Sequence, residues 1–488
     1  MNRFAHIAIL FALFGIGANA QINSLVYNAD FELIDAPSLI YANPAMRHDV
    51  YLGSQTSISL GYHTRHDDEA VVMQMGNGDK LGFVDIQSVS NRSDATLWGK
   101  AKFVAGRYEN MLYNETSDYQ LLAPYNMGDT VGGNLKTQTY IFGGGLMHQI
   151  GETDFAFGLD ADYRAMLEYR QHDPRPRNTT SALHASVGFL YNIDNQIFAL
   201  HIDGFRYKQT NEVKFFNEAN QPIVYHYTGL GTDYARFRGR NIETYYNGYN
   251  GGGGLSYKLG SGISATVQYH YQTFEKIIST LNELPMAQTM EHIAALQLVC
   301  RNIFVTADMS RRTGRENIFG DAANNIYPKL SYVEQYKQKR QNAMLTGVLP
   351  RMLSSHSLTL RADVGAKREE QTYGYPVSKM AISTAVVGLH ADDLFSCGKN
   401  RLYIALSGQY NAPFNTELSL ATSVATPQPT IIYYNNMSHA HTQLNITTRL
   451  QHPIERSGID LFATINASTT HYKSNSSNAL SVSIGACF

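Results

Sequence analysis

Hydrophobic and polar residues alternate with a period of two along much of this 488-residue chain. In residues 155–170, for example, Phe155 and Leu159 fall on one parity, whereas Asp160 and Arg164 fall on the other. Further alternating stretches lie at 358–367, 402–409, 443–450 and 480–488. Alternation of this kind predicts β-strands that have one apolar face and one polar face.

The connections between the predicted strands fall into two length classes. Very short ones, such as "DN" at 194–195 and "RN" at 301–302, predict tight turns at one end of the hairpins. The longest ones, including 110–135 and 217–242, all fall at the other end. A soluble sandwich does not need this segregation, whereas an outer-membrane barrel has short periplasmic turns and long external loops. The chain is therefore predicted to be all-β, forming a transmembrane antiparallel β-barrel of about 18 strands, an even number between about 14 and 20.

The N-terminal residues are typical of an export signal. Arg3 precedes an apolar stretch and small residues, which predicts a signal peptide cleaved before Gln21. The chain is thus expected in the outer membrane of a Gram-negative bacterium. The predicted organisation is a signal peptide at 1–20, a periplasmic N-terminal segment or small plug at 21–49, and the barrel at 50–488.

The last residues alternate up to Phe488. We expect this strand to pair with the first one, because an unpaired edge in lipid would leave backbone groups without hydrogen bonds. Phe488 would then lie in the periplasmic aromatic girdle, and it resembles the C-terminal signal that the outer-membrane assembly machinery reads. The expected partners are that machinery, outer-membrane lipid and a small solute.

Composition narrows the function classes. A net charge of −2 argues against a nucleic-acid-binding surface. Cys300, Cys397 and Cys487 are widely spaced and form no CxxC pair, and sequence leaves open whether two of them pair. No phosphate loop, HExxH, GxSxG or Cys/His motif is present, so no enzyme activity, catalytic residue, metal site or cofactor is predicted.

The glycine-rich stretch 247–260 precedes a strand, which favours a close backbone approach or a bend at the barrel rim.

Charged residues on the polar parity are candidates for lining the lumen. They are Asp160, Asp162, Arg164, Glu168, Arg170, Asp203, Asp308, Arg312, Arg361, Asp363, Lys367 and Arg449. An 18-stranded barrel is wide enough for an aqueous channel unless it is plugged. Mixed signs predict weak ion selectivity, or else a salt-bridged interior that only holds the barrel together. The stretch "EYRQHDPRPRN" at 168–178 is expected to fold inward as a constriction.

Several motifs together resemble an uncharacterised family of Gram-negative outer-membrane β-barrels. They are Trp98-Gly99, "NETSDY" at 114–119, "PYNMGDTVGG" at 124–133, "YIFGGG" at 140–145 and "YRAMLEYRQHDPRPRN" at 163–178. The resemblance covers nearly the whole mature chain and implies a barrel without an assigned activity. "YANPAM" at 41–46 also resembles the Asn-Pro-Ala segment of long-chain fatty acid transporters.

These observations favour a channel or transporter for small solutes with a mixed-charge polar lumen. A carrier of hydrophobic compounds is the first alternative, and it predicts a plug formed by 21–49 and an apolar internal pocket. A structural or surface-interaction barrel is the second, and it predicts a filled lumen. An outer-membrane enzyme would need a His beside a Ser or an Asp at the rim.

Overall fold

A computed structural model describes residues 38–49, 53–217, 219, 221–239, 242–324, 326–352, 356–454 and 457–488. Within these ranges, 18 antiparallel strands form one sheet in which every strand pairs with its neighbour in sequence. The strands are β1 Gln55–Asp67, β2 Gly78–Asn91, β3 Ala95–Met111, β4 Gly133–Gln149, β5 Phe155–Tyr169, β6 Arg175–Ile193, β7 Gln196–Lys214, β8 Thr244–Leu259, β9 Ile263–Ile278, β10 Leu284–Cys300, β11 Ile303–Phe319, β12 Lys329–Met352, β13 His356–Tyr373, β14 Ser378–Cys397, β15 Asn400–Ser419, β16 His441–Ile454, β17 Ile459–His471 and β18 Ser476–Cys487. The predicted fold class and strand count are confirmed.

The sheet closes because β18 pairs with β1. Their register runs from Ser57 opposite Cys487 to Asp67 opposite Ser477. Beyond the last pair, the backbone N–H of Phe488 donates to the carbonyl of Thr56 at 2.9 Å. Closure satisfies the edge groups of both strands, as a barrel in lipid requires. The predicted role of Phe488 in assembly stays a prediction.

The outer face of the barrel is apolar and exposed. Leu60, Ile202 and Leu255, on β1, β7 and β8, are 58 %, 62 % and 64 % exposed, and a soluble protein rarely exposes a contiguous apolar surface of this kind. The neighbouring residue His201, on the opposite parity of β7, is only 2 % exposed. The outer face therefore matches the apolar band of a membrane barrel, and the polar parity faces inward.

The two ends of the barrel differ. At one end, here called the turn end, the strands are joined by connections of two to five residues. The opposite end, the loop end, carries the long connections 112–132, 215–243 and 420–440 as well as several tight hairpins. Strands of 12 to 24 residues exceed the roughly 9–11 residues that cross a bilayer, so the sheet extends beyond the membrane.

Helices are few and short. The α-helices are Tyr119–Leu122 and Gln428–Met437, and the 3-10 helices are Leu39–Ala42, Pro44–Asp49, Met73–Met75, Ala235–Phe237 and Ser279–Leu281. Among the described residues, no helix has both the length and the apolar character needed to cross a membrane.

The facing of β18 can be tested by placing one charge on each side of the wall. Val482 is outward-facing and 39 % exposed near the middle of β18, whereas Ser483 points inward between Gly61 and Thr464. Val482→Lys should cost about 2–4 kcal/mol at the bilayer midplane, and Ser483→Lys should cost far less because its ammonium reaches lumen water. The measurement is the fraction of folded, heat-modifiable barrel on electrophoresis. A greater loss with Ser483→Lys would mean that the assigned facing is inverted.

Candidate functional site

The connection 112–132, here called the inserted loop, turns into the barrel at the loop end. Asn114, Glu115, Thr116 and Ser117 are only 0–3 % exposed although they belong to no strand. The Asn114 side chain accepts hydrogen bonds from the backbone N–H and hydroxyl of Thr116 at 2.9 and 2.6 Å, and it donates to the Gln74 carbonyl at 3.1 Å. These local hydrogen bonds give the loop a defined conformation.

Arg170, just beyond the end of β5, ties both ends of the inserted loop to the wall. Its Nη2 donates to Glu115 Oε1 at 3.2 Å and to Asp129 Oδ2 at 2.5 Å, while Nε donates to the Pro174 carbonyl at 2.7 Å. The Arg170 side chain is 2 % exposed and both carboxylates are fully buried. Such a buried, charge-assisted cluster is strongly destabilised if one partner is removed.

The middle of the inserted loop is held by a second arginine. Arg164 donates from two guanidinium nitrogens to the Asp118 carboxylate, at 2.9 and 2.7 Å. The Tyr207 hydroxyl donates to the same carboxylate at 2.9 Å, and Glu168 accepts from the Ser117 hydroxyl. The inward faces of β5 and β7 thus bind the loop through its side chains.

Cations farther around the wall bind carbonyl groups of the loop. Arg312 on β11 donates to the Ala123 carbonyl at 2.7 Å and forms an ion pair with Glu291 at 2.7 Å. Lys276 on β9 donates to the Asn126 carbonyl at 3.1 Å. The inserted loop therefore spans the inner face from β5 to β11, and wall cations bind the buried carbonyls of Ala123 and Asn126.

A second loop-end connection, 215–243, lies on the inserted loop. Its residues Tyr225–Gly229 pair with Met127–Gly128 in a small three-stranded sheet that Thr232–Asp233 completes. The Thr228 hydroxyl lies 3.0 Å from the Tyr373 hydroxyl on β13. Pairing between the two loops therefore forms a second layer over the lumen at the loop end.

The helix Gln428–Met437 completes this layer, and a cavity lies beneath it. The Tyr433 hydroxyl donates to Glu369 Oε2 on β13 at 2.8 Å. The cavity has a volume of about 160 Å³, room for roughly ten water molecules. Its lining includes Tyr119, Arg312, Tyr336, Arg340, Glu369 and Tyr433. The enclosed space is therefore polar and aromatic, and it is smaller than the pockets that hold drug-sized ligands.

At the turn end, residues 38–49 lie against the inner face of the wall. Asn43, Ala45 and Met46 are at most 2 % exposed. Gly158 on β5 makes room for this segment, because a Cβ there would collide with the backbone of Pro44 and Ala45. Both ends of the barrel interior therefore contain inserted chain.

Polar contacts fix the same segment. Arg47 Nη1 donates to Asp160 Oδ2 at 2.7 Å, and the Leu39 backbone N–H donates to Gln297 Oε1 at 2.9 Å. The remainder of the predicted segment 21–49, at 21–37, and the predicted signal peptide lie outside the described residues. The role of 21–49 as a plug stays a prediction.

The twelve sequence-predicted lumen residues do not form one site. Arg164, Glu168, Arg170 and Arg312 bind the inserted loop, and Asp160 binds Arg47. Among the others, Asp162 forms an ion pair with Lys100 at 2.8 Å, and Arg361 forms one with Asp363 at 3.3 Å. Asp308 accepts a hydrogen bond from Asn342 at 3.0 Å, and the Arg449 guanidinium lies 3.9 Å from the centre of the Phe462 ring. Asp203 lies among three histidines, and Lys367 is exposed. Whether they line a solute pathway stays a prediction.

The expected constriction at 168–178 is wrong in its location. Arg170–Pro174 is a tight hairpin turn, and β6 begins at Arg175. Asp173 accepts hydrogen bonds from the backbone N–H groups of Phe216 and Asn217, both at 2.7 Å, which fixes the turn against the neighbouring connection. The charged residues before this turn instead bind the inserted loop, which enters the lumen from the loop end.

Sequence reasoning missed the loop's side of these contacts. Glu115, Asp118 and Asp129 are the acidic partners of the wall arginines, and none lies on the alternating pattern that identifies lumen candidates. A signal was nevertheless present in "NETSDY" and "PYNMGDTVGG". Short polar residues at this density are typical of loops that form their own turns.

The Glu115 carboxyl group is electrostatically unusual. Burial raises the pKa of Glu115 well above its usual range, and the adjacent Asp129 carboxylate raises it further, whereas Arg170 and Lys276 oppose the shift. A folded-state pKa above the unfolded one favours the protonated form. Its contribution to stability is present at low pH and is lost as pH rises through the raised pKa.

Comparisons with known proteins assign no activity to the chain. Residues 44–488 match the model of a "Family of unknown function (DUF6850)". No curated protein matches the sequence. Similar solved structures include BauA, the ferric preacinetobactin receptor from Acinetobacter baumannii (TM-score 0.40, 10 % identity, covering 88 % of this chain and 80 % of that one), and the CymD monoaromatic hydrocarbon channel (TM-score 0.31, 10 % identity, 97 % and 94 %). Similarity at this level assigns no ligand to the chain.

Removing Arg170 should release the inserted loop. Arg170→Ala leaves Glu115 and Asp129 buried without their guanidinium, at a cost of about 3–5 kcal/mol. We expect amide hydrogen exchange in residues 112–132 to accelerate about 100-fold or more, as this cost implies when only the loop opens. Arg177→Ala, at an exposed position on β6, is the matched control. Equal protection of the loop in both variants would show that Arg170 does not anchor it.

The loop should also respond to pH through Glu115. Because its pKa is raised, protection of residues 112–132 should fall as pH increases, after correction for the intrinsic exchange rate at each pH. Glu115→Gln keeps an oxygen that accepts from Arg170 and removes the titration, so its protection should stay constant. Glu212→Gln, which changes an exposed carboxylate on β7, should behave as the unmodified protein. A pH response that persists in Glu115→Gln would assign it to another group.

Proposed function

The chain belongs to the family of unknown function DUF6850, and we propose from the geometry of its interior that it is an outer-membrane channel for small polar solutes. The inserted loop 112–132 is its constriction. In this proposal the predicted signal peptide directs export, the turn end faces the periplasm, and the loop end faces the medium.

The asymmetry of the interior carries this proposal. On the arc from β3 to β11, the inserted loop and residues 38–49 cover much of the wall, and Glu168 is only 4 % exposed, although the inward residues Lys100 and Asp308 of this arc are exposed. On the opposite arc, Lys367 of β13 and Asn466 of β17 are exposed although they share the inward parity of Asp363 and Thr464. Accessible inward residues support a water-filled route along β12 to β18.

The charges of this arc fit polar solutes of low net charge. Arg361 and His390 both contact the Asp363 carboxylate, at 3.3 and 2.7 Å, so this part of the wall carries both signs. A wall of mixed sign produces little net field and therefore discriminates weakly between cations and anions.

The same geometry weighs against the two alternatives. A carrier of hydrophobic compounds needs an apolar internal pocket, but the 160 Å³ cavity at the loop end is lined by Arg312, Arg340 and Glu369. A purely structural barrel would be filled all round, whereas the inward side chains Lys367 and Asn466 are exposed. The presence of residues 38–49 inside the wall suits a plugged carrier as well as a narrowed channel, and the polar lining of the loop-end cavity supports the channel.

Conductance measurements test the proposal. Purified full-length barrel in a planar bilayer should conduct ions. Lys367→Glu should shift the reversal potential in a KCl gradient toward potassium preference, because it makes the accessible wall more negative. Lys379→Glu is the matched control, since it reverses the same charge on β14 at the loop end, where Lys379 pairs with Glu417 at 2.7 Å. Folded protein without conductance, or the same shift in both variants, would contradict a route past Lys367.

A further inference from the structure

Three imidazoles surround one carboxylate on the covered arc of the wall. His270 Nδ1 lies 3.3 Å from Asp203 Oδ2, and His184 Nε2 lies 3.9 Å from the same oxygen. His201 Nε2 lies 3.9 Å from Asp203 Oδ1. The four residues come from β6, β7 and β9, and the pairing of the consecutive strands β6 to β9 brings them together.

A run of glycines on β8 makes this convergence possible. Gly252 pairs with Asp203 on one side and with His270 on the other. A Cβ at Gly252 would collide with the His270 ring, and one at Gly254 would lie 2.6 Å from His201 Cε1. The glycine-rich stretch is therefore a close approach of side chains across an intervening strand, rather than a bend at the rim.

The cluster is buried on one side and open on the other. The side chains of His201 and Asp203 are 2 % and 8 % exposed, whereas those of His270 and His184 are 23 % and 37 % exposed. His201 Nδ1 is buried and has no hydrogen-bond partner. A buried imidazole nitrogen without a hydrogen-bond partner is unfavourable. The other ring nitrogen of the same residue, His201 Nε2, points at Asp203.

Along β7, the cluster lies between the two inserted pieces. Ala199, toward the turn end, packs against Ile40 and Met46 of residues 38–49. Tyr207, toward the loop end, binds Asp118 of the inserted loop. His201 and Asp203 fall between these contacts, so the open side of the cluster faces the space that the two insertions enclose.

This set of donors suits a transition metal. Imidazole nitrogens with one carboxylate favour zinc, copper or nickel over calcium or magnesium, which prefer oxygen ligands. Zinc bonds of about 2.0–2.2 Å place ligand atoms about 3.3 Å apart around a tetrahedral ion. The 3.3 Å separation meets that distance, whereas the rings of His184 and His201 would have to move toward His270, because no three ligand atoms of these four residues lie within 4.8 Å of one another.

We propose that His184, His201, Asp203 and His270 bind a divalent first-row transition metal ion, with Zn²⁺ or Cu²⁺ as the matching ions. Nearby carboxylates add to the attraction for a cation, since ligand atoms of Asp160, Asp162 and His184 lie within 4.8 Å of one another. Arg47 and Lys100 already pair with these two aspartates. The site is separate from the accessible arc of the proposed channel.

Titration of the purified, chelator-treated full chain in detergent with Zn²⁺ alone tests the site. Calorimetry should show one ion bound per chain. Asp203→Asn and His270→Gln should each weaken binding by about 100-fold or more, the upper range seen for supporting residues of metal sites. His390→Gln, which removes an imidazole beside a single aspartate, should bind as the unmodified chain.

A pair of glycine variants separates geometry from folding. Gly252→Ala places a methyl group against the His270 ring and should weaken binding, whereas Gly251→Ala meets no atom within 4 Å and should leave it unchanged. Folding of every variant is checked by heat-modifiable migration. With Cu²⁺, electron paramagnetic resonance should show nitrogen coupling that His270→Gln reduces.

Three results would overturn the metal site: no stoichiometric binding by the folded unmodified chain, equal binding by Gly252→Ala and Gly251→Ala, or full affinity in His270→Gln. Lys367→Glu should bind Zn²⁺ normally. A chain that binds the metal but does not conduct would therefore contradict the proposed channel and leave the metal site standing.

Discussion

The structure depends on one constraint, which is that every backbone N–H and C=O within lipid must find a partner inside the protein. A sheet meets it only by closing, and here β18 closes on β1 through a continuous register from Ser57 to Asp67. Closure fixes which parity of each strand faces lipid and which faces the interior. Eighteen strands enclose more space than their own inward side chains can fill, so a closed sheet of this size creates an interior that other parts of the chain can occupy.

Occupying that interior raises an electrostatic problem that the chain resolves by pairing. Charged groups on the inward parity cannot all reach water once the inserted loop covers them, and burial of an unpaired charge is costly. Arg170 and Arg164 therefore meet Glu115, Asp129 and Asp118 of the loop. Wall and loop are complementary in charge, which selects one position for the loop. A protonated Glu115 reduces the number of charges that one guanidinium must balance.

Sequence predicted the wall far better than its contents, for a physical reason. Alternation is a local property, readable within about ten residues, and the restriction of lipid-facing positions to apolar residues makes it strong. The contacts of the interior are not local: Glu115 is 55 residues from Arg170, and Asp118 is 89 residues from Tyr207. The parity rule placed Arg164 and Arg170 on the inner face, but it gave no information about which segment would meet them. The constriction was therefore assigned to 168–178, the nearest charged stretch.

The glycine run of β8 shows that a local sequence feature can indicate contacts between side chains of the neighbouring strands. Glycine weakens a strand because it contributes no side chain and gains flexibility when unfolded. Gly252 and Gly254 are explained by the rings of His270 and His201 beside them, and Gly253 by the backbone of His201. Gly251 meets nothing, and the structure gives no reason for it. Where an inward glycine sits between neighbouring strands that both carry polar side chains, those side chains can meet across it. In a barrel of known register, inward glycines thus mark the places where residues distant in sequence can form one binding site.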